Sequence, residues 1–94
     1  MFEAHKKGLQ SKLLAMEHFA SSGFHIYNEM NNTGPIDFVA VNPDSDETYL
    51  LEVKTLCRRS DSSKINRPLT TSQRRLGVKM VYVDLENQKI NFRK

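Results

Sequence analysis

Ninety-four residues, 38% of them hydrophobic and 27% charged, have an ordinary globular composition and fit one domain over residues 1–94, which excludes fibrous and disordered classes. No apolar run approaches the roughly 20 residues needed to span a bilayer, and the first residues, with Glu3, His5, Lys6 and Lys7, lack the apolar centre of a secretory leader, so a cytoplasmic protein with no membrane partner is expected. The net charge is only +3, and the lone Cys57, with no His/Cys spacing of the zinc type around it, excludes an internal disulfide and a structural zinc scaffold.

In chain order, Leu9, Leu13, Met16 and Ala20 recur at spacings of four, three and four, which predicts a helix from Phe2 to Ser21 packing that stripe on a sheet. Gly23 is placed to end it in the left-handed conformation. Phe24 to Met30 alternates as a strand, with Phe24, Ile26 and Met30 on one side; His18 and His25 are surface or half-buried polar residues. The loop Asn31-Asn32-Thr33-Gly34-Pro35 leads to a second strand that starts around Asp37. Two β-branched and aromatic runs, Ile36–Val41 and Thr48–Thr55, flank a polar turn and read as an antiparallel hairpin. Cys57 to Asn66 is a polar, basic loop with three serines. Thr70-x-x-Gln73 has capping-box form and predicts a short helix over Thr71–Leu76 that stops at Gly77. Lys79–Asp84 and Lys89–Arg93 are two further strands joined by Glu86-Asn87-Gln88. The order is helix, three strands, helix, two strands, an α/β (α+β) arrangement on a mixed sheet.

Three charged residues interrupt the apolar hairpin: Asp37, Glu52 and Lys54. Side chains alternate along a strand, so Glu52 and Lys54 share a face about 7 Å apart. A turn centred on Asp44 and Ser45 pairs Val41 with Thr48 and Val39 with Leu50, and brings Asp37 opposite Glu52. Two carboxylates about 5 Å apart repel unless a cation lies between them. Hard carboxylate oxygens suit Mg²⁺, and an adjacent lysine can orient a water or neutralise a phosphate. The competing reading is a solvated hairpin face, against which stand the apolar neighbours Val39, Val41 and Leu50 on that side.

Asp37 after Pro35-Ile36, followed by Glu52-Val53-Lys54 on the next strand, resembles the signature of the PD-(D/E)XK nuclease superfamily. The element order matches that superfamily's αβββαβ core over nearly the whole chain, with one extra C-terminal strand. The nearest likeness is to small Holliday-junction-resolvase-like and phage or homing endonucleases. The resemblance implies a restriction-endonuclease-like fold and an Mg²⁺-dependent endonuclease, with Mn²⁺ able to substitute. Asp37, Glu52 and the Val53 carbonyl would hold the ion, Lys54 would assist the water, and Gln73 would orient water or phosphate unless its amide only closes the capping box. Resolvase-like members carry a glutamate four residues after a Lys-Gly pair; after Lys7-Gly8 that place holds Lys12, which cannot ligate Mg²⁺. Either Glu3 or Glu17 substitutes from another turn, or the site runs on Asp37 and Glu52 plus the Val53 carbonyl, or the branch assignment is wrong.

The positive charge is clustered: Lys7 on the first helix, then Arg58, Arg59, Lys64, Arg67, Arg74 and Arg75 after the motif. Such clusters beside a metal site suit a nucleic-acid backbone. DNA is therefore the expected partner, together with a homodimer or larger closed oligomer, because one small site attacks one strand at a time. Contact elements for that association are the last hairpin, through Tyr82, Ile90 and Phe92, and the first helix. The alternative function is a non-catalytic nucleic-acid-binding protein that keeps the nuclease fold.

Overall fold

A computed structural model describes residues 2–30, 34–56 and 69–93, with side chains of the first helix from Lys6 onward. The elements follow in the expected order: α1 (Phe2–Ser21), β1 (His25–Asn28), β2 (Phe38–Asn42), β3 (Glu47–Thr55), α2 (Thr71–Leu76), β4 (Val78–Asp84) and β5 (Lys89–Phe92). The five strands form one sheet in sequence order. Pairing is antiparallel throughout except between β3 and β4, the two strands that α2 connects and that run parallel. The fold class is thus α+β with a mixed five-stranded sheet and two helices.

Local chemistry sets the element ends. The amide of Phe24 donates to the Phe19 carbonyl at 3.0 Å and that of Gly23 to Ala20 at 3.1 Å, with Gly23 at φ 97°. This is a Schellman cap, and its usual apolar contact is made by the Phe19 and Phe24 rings, 5.4 Å apart. At α2 the Thr70–Gln73 capping box is closed in both directions, and Gly77 ends the helix at φ 77°. The β2–β3 loop has four residues, 43–46, not two. Asn42 pairs with Glu47, its side-chain oxygen accepts from the Asp44 amide at 3.0 Å, and Asp46 takes the left-handed conformation. Two extra loop residues remove one pair at the tip and leave the others as expected, so Val39 faces Leu50 and Val41 faces Thr48.

The core lies on one face of the sheet, under α1. Phe38 and Ala40 of β2, Tyr49 and Leu51 of β3, and Val81 and Val83 of β4 are buried there against Ala15 and Phe19. Phe19 is the hub, with the rings of Phe38, Tyr49 and Phe92 within 6.3 Å of its own. Of the helix stripe expected from the apolar spacing only Met16 packs against the core, and Ala20 is exposed. Leu9 and Leu13 are 58% and 55% exposed, whereas Ser11, Ala15 and Phe19, at spacings of four, are buried. Small side chains at Ser11 and Ala15 let the helix approach the sheet, and the larger stripe turns outward. Two further expectations are corrected. Met30 is 92% exposed, two residues beyond the end of β1, and so does not share the buried side of Ile26. Ile90 and Phe92 pack on the protein's own core and Tyr82 points to the opposite face of the sheet, so these three residues do not form one apolar surface for association.

Truncating the hub is expected to be costly: Phe19→Ala should lose about 3–5 kcal/mol in urea unfolding. Met30→Ala should stay within about 0.5 kcal/mol of wild type. Equal effects for the two variants would contradict this packing.

Candidate functional site

The face away from α1 carries Val39, Val41, Leu50, Glu52 and Lys54, with Met80 and Tyr82 alongside on β4. One step past the Phe38–Leu51 pair, the ladder gives way to contacts made by Asp37. Its amide donates to the Leu51 carbonyl at 2.8 Å, and its own carbonyl accepts from the Glu29 amide at 3.4 Å. Its carboxylate accepts from the Val53 amide at 2.7 Å, so a side chain stands where the next rung would be. That bond holds Asp37 beside Glu52. The charge of Asp37 bears directly on the Glu52 carboxyl.

Lys54 Nζ lies 3.6 Å from Glu52 Oε2, and the two side chains are 36% and 18% exposed. A solvated hairpin face would leave Glu52 far more open. The Glu52 carboxyl is pushed above its ordinary value of 4.5, first by burial and then by the charge of Asp37, with Lys54 acting in the opposite direction. Two acids and one lysine leave the cluster with an excess of negative charge that water reaches only in part.

Gln73 is buried on α2, and its amide does two jobs. The oxygen accepts from the Thr70 amide at 2.9 Å, and the nitrogen donates to the Pro35 carbonyl at 2.9 Å. The cap is therefore real, and the same side chain ties α2 to the segment just before Asp37. Across the sheet, Ser11 and Thr55 hydroxyls meet at 2.6 Å, which pins the N-terminal half of α1 to the end of β3 that carries Lys54. Neither link was apparent in the sequence. A buried serine four residues before Ala15 and eight before Phe19 was the available signal for the second.

Lys7 is exposed on α1 one turn before Ser11, and Arg74 and Arg75 are exposed in the last turn of α2. Arg58, Arg59, Lys64 and Arg67 lie outside the described residues, as does Cys57. Glu17 is exposed and accepts a hydrogen bond from Ser21 at 3.1 Å. The Glu3 side chain is outside the described set. Among the described residues no group of three or more His, Cys, Asp and Glu side chains converges, so Asp37 and Glu52 are joined by no third ligand of that kind. No helix among these residues is long and apolar enough to cross a membrane. No family model matches the chain, and comparison with curated proteins and with solved structures finds no match either.

The raised Glu52 carboxyl makes a signed prediction. Between 4.5 and its higher folded value, the folded state binds more protons than the unfolded one, so stability falls as pH rises through that window. The penalty is complete above the window and absent below it. Glu52→Gln should therefore have a higher urea midpoint than wild type at pH 7.5 in EDTA, with the gain fading as pH falls through that window and gone below about 4.5. A variant less stable than wild type at pH 7.5 would show that the Lys54 pair outweighs burial and Asp37.

Proposed function

We propose that this chain is a metal-dependent DNA endonuclease of the PD-(D/E)XK superfamily, built on that superfamily's restriction-endonuclease-like core. The observation that carries the reading is the pairing of Asp37 with a half-buried Glu52 whose carboxyl is driven up by burial and by its neighbour, with Lys54 3.6 Å away on the same face. The donor set fits Mg²⁺. It consists of hard oxygens, and two carboxylates suffice for an ion that keeps waters and substrate phosphate in its remaining positions; Mn²⁺ suits the same set. Zinc, which prefers nitrogen and sulfur, is a poor match.

Asp37 and Glu52 would hold the ion, with the Val53 carbonyl as a backbone candidate for a further ligand. When bound, the ion supplies Lewis acidity and charge neutralisation at the scissile phosphate. The chain's own groups do the rest. The Val53 amide fixes the Asp37 carboxylate at 2.7 Å, so this ligand needs little reorganisation. The Lys54 ammonium, aimed by Glu52, donates to a phosphate oxygen or holds the attacking water. Gln73 acts through Pro35 as a positioning residue that keeps the Asp37 segment against α2. Lys7, Arg74 and Arg75, with Arg58, Arg59, Lys64 and Arg67, would bear on the DNA backbone.

A second reading, a DNA-binding protein that does not cut, is favoured by Lys12 standing where resolvase-like members have a glutamate. Supercoiled plasmid incubated with Mg²⁺ or with EDTA decides between them, and a panel of duplex, nicked, forked and four-way DNA then gives the substrate. Asp37→Asn and Glu52→Gln should each reduce Mg²⁺-dependent cutting at least 100-fold while keeping the fold and most of the DNA affinity. Wild-type rates in both variants would remove these residues from the site.

Symmetric cutting of a duplex or a junction needs two such sites, so a homodimer is the active form in this reading. Ile90 and Phe92 are spent on the core, which leaves the outward stripe of Leu9 and Leu13 on α1 as the contact. Sedimentation equilibrium at micromolar concentration should give a dimer mass that Leu9→Glu with Leu13→Glu returns to monomer. A monomer with and without DNA would restrict the enzyme to nicking.

A further inference from the structure

One strand further along the carboxylate-bearing face, β4 and β5 are hollowed into an open cleft of about 370 Å³. Leu69, Val78 and Met80 give it aliphatic walls and Tyr82 an aromatic one on the carboxylate-bearing face, with the core residue Phe92 at its margin, while Asn91 contributes an amide and Lys79 and Arg93 positive charge. No acidic residue lines it among those described. Its place relative to the carboxylates follows from the register. Met80 is the partner of Glu52, Tyr82 is the partner of Lys54, and Asn91 is the partner of Tyr82. The cleft therefore begins about 4.8 Å, one strand spacing, from the strand that carries Glu52 and Lys54.

We propose that this cleft receives an unpaired base of a DNA strand whose phosphates lie against Asp37, Glu52 and Lys54, which makes DNA with unpaired nucleotides the preferred substrate class. The inference rests on the nuclease reading for the placement of the strand. Its volume falls in the lower part of the roughly 300–1,000 Å³ range of small-ligand pockets. An aromatic ring with aliphatic walls suits a flat π-face, and such stacking tolerates any base. The Asn91 amide offers a donor and an acceptor to a base edge, and Arg93 offers charge to a flanking phosphate. A base inside continuous duplex has both faces stacked and its edge paired, so it can enter only after extrusion. An unpaired base enters without that penalty.

Fluorescence anisotropy in EDTA tests this with a labelled duplex and the same duplex carrying a short single-stranded flap. Wild type should bind the flapped DNA more tightly. Tyr82→Ala should weaken flap binding about tenfold and leave duplex binding unchanged. Tyr82→Phe should keep the preference, and Asn91→Ala, an exposed change with little risk to folding, should reduce it. A 2-aminopurine in the flap should be quenched on binding wild type and not on binding Tyr82→Ala. Equal affinity for the two DNAs, or equal losses on both in the variants, overturns the proposal. So does a loss of stability with binding unchanged, since the cleft would then be filled by the chain itself. Cutting is silent in EDTA, so the two readings fail separately. Flap binding through Tyr82 with no cleavage in Mg²⁺ sinks the nuclease and keeps the pocket, and cleavage with no flap preference does the reverse.

Discussion

Pairing between β2 and β3 decides which side chains meet at the end of the sheet, and the chemistry of the site descends from that register. Phe38 and Leu51 are partners and both fully buried, so a slip of β3 by one residue would send Leu51, and Tyr49 with it, to the outer face. The loss would be two large core side chains, worth several kcal/mol together. With the pair locked, Asp37 must lie beside Glu52 and on the face away from α1. The core thus enforces an arrangement of charge that the charges themselves oppose.

The opposition is tempered by three bonds made from outside the pair. The Val53 amide takes one oxygen of Asp37, Lys54 sits beside Glu52, and Gln73 braces the incoming segment through Pro35. The ammonium works against the upward push on Glu52, and the amide and the brace keep Asp37 and its backbone from swinging away. The link between Ser11 and Thr55 does for α1 what Gln73 does for α2. Each helix is therefore tied by a hydrogen bond to the region of the carboxylates, α1 to the end of β3 and α2 to the segment before Asp37.

Much of this was legible in the sequence because local signals agreed with one another. Gly23 and Gly77 ended the helices as left-handed caps, Thr70 and Gln73 formed their box, and the hairpin register survived a misjudged loop length since adding one residue on each side of a turn leaves the pairing unchanged. The face shared by Glu52 and Lys54 followed from strand alternation, and the place of Asp37 on it from the register the turn sets. The packing face of α1 did not, because apolar spacing rewards size, and Leu9 and Leu13 form a better stripe on paper than Ser11, Ala15 and Phe19. Which stripe turns inward depends on how near the sheet the helix must come, a tertiary quantity. The bonds from Gln73 to Pro35 and from Ser11 to Thr55 span 38 and 44 residues, and no local pattern encodes contacts at that separation.

A carboxyl raised by burial and by a neighbouring acid is a liability in the free protein and an asset once a divalent cation arrives. Burial withholds the water that would otherwise solvate the charge of Glu52, and the proton retained at higher pH is the lesser of two costs. A cation replaces that proton, so metal affinity and stability become linked: binding must release the proton at low pH, and above the raised value it relieves the repulsion with no proton to expel. The same residues that weaken the apoprotein at neutral pH would then strengthen the metal-loaded one. In the proposed metal-binding reading, selection would act on the loaded state, and the acidic pair would persist in a face it shares with Val39, Val41 and Leu50 for that reason.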